Sequence, residues 1–127
     1  MRNGGRMVVL LVTSRETGRW VLPKGWAEKG LKGFELAAKE AFEEAGVKGH
    51  LIARSLGSYT YAKQLNPGKA ITCRVEVFPL EVTEVLVDWP ESSQRQRRWF
   101  SFTEAALAVD ETDLSQLITT AGRQGFS

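Results

Sequence analysis

Gly25-Trp26-Ala27-Glu28-Lys29-Gly30-Leu31-Lys32-Gly33-Phe34-Glu35-Leu36-Ala37-Ala38-Lys39-Glu40-Ala41-Phe42-Glu43-Glu44-Ala45-Gly46-Val47 joins a glycine-rich segment to a run with helical periodicity. Lys24 to Gly33 contains Gly25, Gly30 and Gly33 and no apolar repeat, which predicts a loop. Phe34 to Ala45 holds four alanines, no proline and no internal glycine, which predicts a helix. At about 100° per residue, Phe34, Ala37, Ala38, Ala41, Phe42 and Ala45 share one apolar arc. Gly46 then supplies a left-handed stop. Glu40, Glu43 and Glu44 fall at i, i+3 and i+4 and share the face opposite that arc. Like charges at this spacing repel by about 0.2–0.5 kcal/mol per pair. A hard cation such as Mg²⁺ offsets that repulsion, because it prefers carboxylate oxygens. The spacing alone is equally that of an acidic, solvated helix face.

Outward from this helix the chain reads as strands, then helices. Arg6 to Ser14 is a buried strand, and Trp20-Val21-Leu22 a short one stopped by Pro23. His50 to Tyr61 is strand-like, Asn66-Pro67-Gly68 is a turn, and Ile71 to Val87 is β-rich with Pro79 at an edge or bulge. Arg97 to Phe102 is a further strand. Thr103 opens a helix over Glu104 to Val109, and Glu111 to Gly122 forms a last amphipathic helix. The order strands, helix, strands, helices predicts an α/β or α+β class.

The chain has 127 residues, enough for one domain over 1–127 with a real core and no linker. Cys73 is the only cysteine, so no internal disulfide forms, which suits a reducing cytoplasm. His50 is the only histidine, which excludes a zinc site built from several His and Cys ligands. No run approaches the roughly 20 apolar residues of a membrane span. Net charge is +2, too small to argue for nucleic acid. Acid clusters between Glu28 and Glu44, flanked by Arg15, Arg19 and Lys24 and by Arg95, Arg97 and Arg98. An acidic patch between basic ones suits a metal site facing a polyanion.

The glycine loop and helix together resemble the Nudix box. That pattern runs Gly, five residues, Glu, seven residues, Arg-Glu, apolar, any, Glu-Glu, any, Gly, apolar. Gly25, Glu40, Ala41, Glu43, Glu44, Gly46 and Val47 match in register. Leu31 stands where the pattern has its first Glu, and Lys39 where it has Arg; Glu28 and Glu35 are nearby carboxylates. Within the superfamily the chain is most similar to the diphosphoinositol polyphosphate phosphohydrolases, which also cleave diadenosine polyphosphates. Leu10 to Arg15 with Arg19-Trp20 and Pro23, Glu43 to Gly49, Thr83 to Trp89 followed by Arg95 to Phe100, and Gly122 to Phe126 carry this similarity. The family's Pro-Gly-Gly entry is Pro23-Lys24-Gly25-Trp26 here.

The resemblance implies an α/β/α sandwich around a mixed β-sheet. It also implies a truncated N-terminal strand, since only Met1 to Arg6 precedes Met7. It implies metal-dependent hydrolysis of a diphosphate linkage, with Mg²⁺ or Mn²⁺ as cofactor. Glu40 and Glu44 would be metal ligands with the Gly25 carbonyl, and Glu43 the general base. Ser14, Arg15, Lys24, Lys69 and Arg95 would bind the substrate's phosphates, with Thr13 adding a hydroxyl. Arg97 and Arg98 point to opposite strand faces, so at most one faces the site. Trp20, Trp89 and Trp99 are expected in the core, Cys73 as a small buried hydrophobe and His50 at the surface. The expected partner is a small-molecule polyphosphate, with no membrane and no nucleic acid, as monomer or homodimer. A nucleoside polyphosphate or RNA 5′ end is an alternative substrate. A non-catalytic polyphosphate sensor is the alternative of another class, resting on Leu31 and Lys39.

Overall fold

The computed structural model describes residues 2–3, 6–15, 17–24 and 33–123. Strands β1 (Arg2–Asn3) and β2 (Arg6–Met7) pair with each other. These four residues thus form an antiparallel pair of their own ahead of β3. β3 (Val9–Thr13) runs between β4 (Trp20–Val21) and β9 (Arg97–Phe100), as the apolar run at Val8 to Val12 anticipates.

Leu11 and Val12 are successive residues of β3, so they point to opposite faces. Both are fully buried. Leu11 joins a core with Tyr59, Phe100, Ala105, Val109, Leu114 and Ile118. Val12 joins a second core with Val21, Ala45 and Val47. The first core is closed by α2 (Phe102–Ala108) and α3 (Thr112–Arg123), the second by α1 (Gly33–Ala45). β3 is therefore covered on both sides, as the α/β/α expectation requires. Each fully buried aliphatic side chain contributes roughly 1.5–3 kcal/mol. Every pairing among the described residues is antiparallel, which makes the class α+β; the parallel pair of a mixed sheet is not among them.

The middle of the chain is one long antiparallel ribbon with an interruption. β5 (Val47–Leu51) pairs with β8 (Leu80–Val85), and β6 (Gly57–Asn66) with β7 (Lys69–Val77). The single strand expected over His50 to Tyr61 is thus two. At the first residue of β6, Gly57 takes φ +133, a conformation that L side chains rarely adopt, and the Ser55 hydroxyl accepts from its N–H at 3.1 Å. The opposite edge is interrupted at the same level by Phe78 and Pro79, so Pro79 lies between strands and not within one. Asn66-Pro67-Gly68 turns the ribbon as expected. The second helix starts at Phe102, two residues earlier than the expected Glu104. Ser101 is its N-cap, and the Glu104 carboxylate accepts from the Ser101 N–H in return. No helix among the described residues is long and apolar enough to cross a membrane.

Candidate metal and phosphate site

Helix α1 ends where the sequence places its stop. Gly46 has φ +67 and its N–H donates to the Phe42 carbonyl at 3.0 Å. The last carbonyls of a helix lack partners within it. Here they take them from residues about forty to fifty positions further on. The Glu91 N–H donates to the Glu43 carbonyl at 3.1 Å, and the Trp89 indole N–H to the Glu44 carbonyl at 3.0 Å. The Arg97 guanidinium donates to the Ala45 carbonyl at 2.8 Å and also binds the Leu86 carbonyl. Its central carbon lies 4.0 Å from the centre of the Trp89 ring. A Cβ on residue 46 would fall 2.7 Å from an Arg97 nitrogen and 2.8 Å from the Trp89 ring, so glycine is needed for space as well as for φ.

This grip fixes the helix turn that carries Glu40, Glu43 and Glu44. The glutamate face was expected opposite the apolar arc, at a spacing equally that of a solvated acidic face. Two of its three members are instead buried: Glu40 is 8 % exposed and Glu44 5 %. Glu43 is half-buried on the flank. Glu40 and Glu44 stand one helical turn apart, so their carboxyl groups are neighbours on this buried face. Burial, and then this neighbour, push the Glu44 carboxyl up to about 8, against the pull of Arg95. Two neighbouring, desolvated carboxyls are costly unless a cation compensates them. The donor set, all hard oxygen, fits a divalent ion that keeps several waters and takes one or two carboxylates. Among the described residues no group of three or more His, Cys, Asp and Glu side chains could hold a metal ion. Gly25, the expected backbone ligand, lies outside the described residues, as do Trp26, Glu28 and Leu31.

The expected phosphate-binding residues divide into three groups. Lys24 and Arg95 reach the glutamates. The Lys24 N–H donates to Glu44 Oε1 at 3.2 Å, and its ammonium sits 4.7 Å from the centre of the Tyr61 ring. Desolvation lowers the Lys24 ammonium below its ordinary value, with Glu44 acting in the opposite sense. The Arg95 guanidinium lies 3.7 Å from Glu44 Oε1, donates to Glu91 at 2.7 Å and to the Thr13 carbonyl at 3.0 Å, and is 9 % exposed. Ser14 and Arg15 stand beside this cluster. Ser14 opens the turn after β3 through its backbone, and Arg15 is exposed, donating to Gln94 at 3.0 Å. The Thr13 hydroxyl accepts from the Gln96 N–H at 2.9 Å. Lys69 is not brought to the glutamates. It is exposed at the turn of the β6–β7 ribbon, four residues beyond Cys73, the partner of Tyr61. At about 3.4 Å per residue that is roughly 14 Å along the strand.

Four residues outside the expected set build this site: Trp89, Glu91 and Arg97 grip the helix end, and Tyr61 backs Lys24. Trp89 was expected only as core packing. The adjacent Arg97 and Arg98 do point apart: Arg98 stacks over Phe100, 5.1 Å from its centre. Trp20 packs on Phe100 as a core residue, and His50 is exposed.

Residues 1–120 match the NUDIX domain family. The chain belongs to the Nudix family. Among Nudix relatives, it is 39 % identical over 103 residues to the Arabidopsis thaliana protein named Nudix hydrolase 12, mitochondrial, covering 79 % of this chain and 51 % of that one. It is 38 % identical over 100 residues to diphosphoinositol polyphosphate phosphohydrolase 3-beta of Bos taurus, covering 77 % and 57 %. The chain thus spans about half the length of these Nudix relatives. The crystal structure of the C. elegans Ap4A hydrolase superposes with a TM-score of 0.63 at 18 % identity, over 96 % of this chain and 89 % of that one, which shows a shared Nudix fold. Nudix hydrolases generally use divalent metal ions.

Proposed function

We propose that this chain, as a single domain, hydrolyses a diphosphate linkage in a phosphate-rich small molecule, a diphosphoinositol polyphosphate or a diadenosine polyphosphate. The observation that carries the reading is the buried Glu40–Glu44 pair on one helix face, with Lys24 and Arg95 against Glu44. Relatives whose names state diphosphoinositol polyphosphate and Ap4A hydrolysis support the substrate class. Mg²⁺ is the expected ion, with Mn²⁺ as substitute, held by Glu40, Glu44 and the Gly25 carbonyl. When bound it neutralises phosphoryl charge and lowers the pKa of a coordinated water. Glu43, half-buried beside the pair, takes the proton from the attacking water. Arg15 and Arg95 bind phosphate oxygens through planar forks and Lys24 as a point charge. Ser14 contributes a hydroxyl, and Lys69 reaches only the distal part of a long substrate. The free thiol of Cys73 suits a reducing compartment such as the cytoplasm.

One panel tests this: diadenosine tetraphosphate, a diphosphoinositol polyphosphate, nucleoside triphosphates and a 5′-triphosphorylated RNA, each with Mg²⁺. Wild type should cleave one of the first two, and Glu44→Gln should lose on the order of 100-fold or more, the scale of removing a group that stabilises the transition state. Rapid turnover of nucleoside triphosphates alone, or unchanged cleavage by Glu44→Gln, overturns the reading. Binding without cleavage by wild type would make the chain a sensor.

A further inference from the structure

Lys24 occupies the point where the family pattern has glycine, and it uses its two ends differently. Its N–H holds Glu44 Oε1 at 3.2 Å. The ammonium of the same residue could fold back onto that carboxyl, since opposite charges attract wherever Glu44 is ionised. It does not. Among the described residues no carboxylate lies within ion-pair distance of the Lys24 ammonium, although Glu44 and Glu111 are near enough to act on it electrostatically. Glu111 is engaged by Arg19 at 3.6 Å. The ammonium instead stands 4.7 Å from the centre of the Tyr61 ring.

Tyr61 is well placed to hold a cation. It follows Tyr59 by two residues on β6, so both side chains leave the same face of the strand. Tyr59 is fully buried in the core closed by α2 and α3, and Tyr61 packs against that core. On the paired strand it faces Cys73. The neighbouring Thr60, on the other face, is tied to α3 by its N–H and hydroxyl, both donating to Asp113 at 2.8 and 3.1 Å. The strand that carries the ring is therefore anchored to α3, and the ring itself packs against the core. An aromatic face attracts a cation without neutralising it, whereas a carboxylate would cancel its charge.

We propose that Tyr61 is a positioning residue: its ring draws the Lys24 ammonium away from Glu44 and presents it, still charged, to a phosphate of the substrate. The division explains why the backbone and the side chain of one residue serve different partners. It rests on the reading above in that the ligand is a polyphosphate held beside the glutamate helix. It predicts that Tyr61 matters only through Lys24.

The test is a double-mutant cycle between Tyr61→Leu and Lys24→Gln, with Tyr61→Phe as the conservative variant. Two readouts are taken on the full chain: calorimetric affinity for inorganic tripolyphosphate in metal-free buffer, and KM and kcat for diadenosine tetraphosphate with Mg²⁺. Tyr61→Phe should match wild type in both. Tyr61→Leu and Lys24→Gln should each weaken tripolyphosphate about fivefold, the scale of a partly desolvated cation–π contact, and raise KM with kcat retained. The double variant should be no worse than Lys24→Gln alone. If the two losses multiply, Tyr61 acts as ordinary core and the proposal fails. It fails too if Lys24→Gln binds tripolyphosphate like wild type. Tyr61→Ile, whose branched side chain suits a strand, takes the place of Tyr61→Leu should that variant not fold. The tripolyphosphate cycle needs no turnover. A chain that cleaves nothing would overturn the proposed function and leave this result standing.

Discussion

The C-terminal end of α1 and the N-terminal end of α2 face the same difficulty, backbone groups with no partner inside the helix, and meet it over very different distances. At α2 the donors and acceptors are local. The Glu104 N–H donates to the Ser101 hydroxyl at 3.1 Å and the Ser101 N–H to the Glu104 carboxylate at 3.2 Å, three residues apart. At α1 the Glu43, Glu44 and Ala45 carbonyls are met by Glu91, Trp89 and Arg97, from 45 to 52 residues away for the side-chain donors. A local cap makes a helix stop. A distant cap also fixes where the helix sits, and here it fixes the turn that carries two buried glutamates. The difference marks the helix end at which the chemistry is proposed.

The most severe way to break the distant cap is Gly46→Ala. The added Cβ meets both Arg97 and Trp89, and the left-handed backbone strains any residue with a side chain. The combined cost is roughly 2–5 kcal/mol, strain plus overpacking. A urea titration should show a lower midpoint. Mg²⁺-dependent cleavage should fall further than the unfolded fraction explains, since the turn bearing Glu43 and Glu44 is displaced. An unchanged midpoint would show that the clash is relieved at no cost and that the grip is loose.

The same contrast explains what the sequence makes legible. The helix over Phe34 to Ala45, its stop at Gly46 and the Pro67-Gly68 turn depend on propensity and on backbone freedom within a few residues, and they lie where expected. The break at Ile52 to Leu56 was missed because Leu51, Ile52 and Leu56 read as continued strand. Gly57 and Ser55, which cause it, are ordinary loop residues until their geometry is seen. In the site, Glu40, Glu44, Lys24 and Arg95 do converge. The burial of the glutamates was not legible, because helical periodicity sorts residues by polarity and an acidic face reads as solvated. Trp89 and Arg97 carry no local mark of their target: a tryptophan before a loop and an arginine on a strand have many uses. Lys69 illustrates the reverse. Its sequence resemblance points to the site, but the ribbon's register carries it away from the helix.

A smaller perturbation sharpens the comparison by removing one hydrogen bond from each end. Trp89→Phe keeps the ring under Arg97 and over Gly46 but leaves the Glu44 carbonyl without its donor. Ser101→Ala removes the acceptor for the Glu104 N–H. Each should destabilise by about 1 kcal/mol, the usual value of one such bond or cap. Stability will therefore not distinguish them. Mn²⁺ affinity, followed through the resonance of the free ion, should: Trp89→Phe weakens it severalfold and Ser101→Ala leaves it unchanged. Equal affinities in the two variants would mean that the distant cap is only a cap.

The smallest expected effect is in acid, and there the local end is the vulnerable one. The groups that hold α1 are backbone amides, an indole N–H and a guanidinium, none of which titrates below neutral pH. The α2 cap includes a carboxylate. The Ser101 N–H, which it accepts, is the main cause that holds the Glu104 carboxyl below its ordinary value of 4.5. A depressed carboxyl binds its proton more weakly in the folded chain than in the unfolded one. Its contribution is thus present above the unfolded pKa and is lost as pH falls through the folded one. Glu104→Gln keeps an oxygen that can accept the same bond, because Gln also closes a capping box, but it removes the charge. The difference in urea midpoint between wild type and Glu104→Gln should be constant from neutral pH down to about 5 and shrink below it. Other carboxylates held low, such as Asp113 beneath the Thr60 N–H, act equally in both proteins and cancel from the difference. A difference that stayed constant to the acid limit would show that the charge contributes nothing. The two helix ends would then differ only in how far away their partners lie.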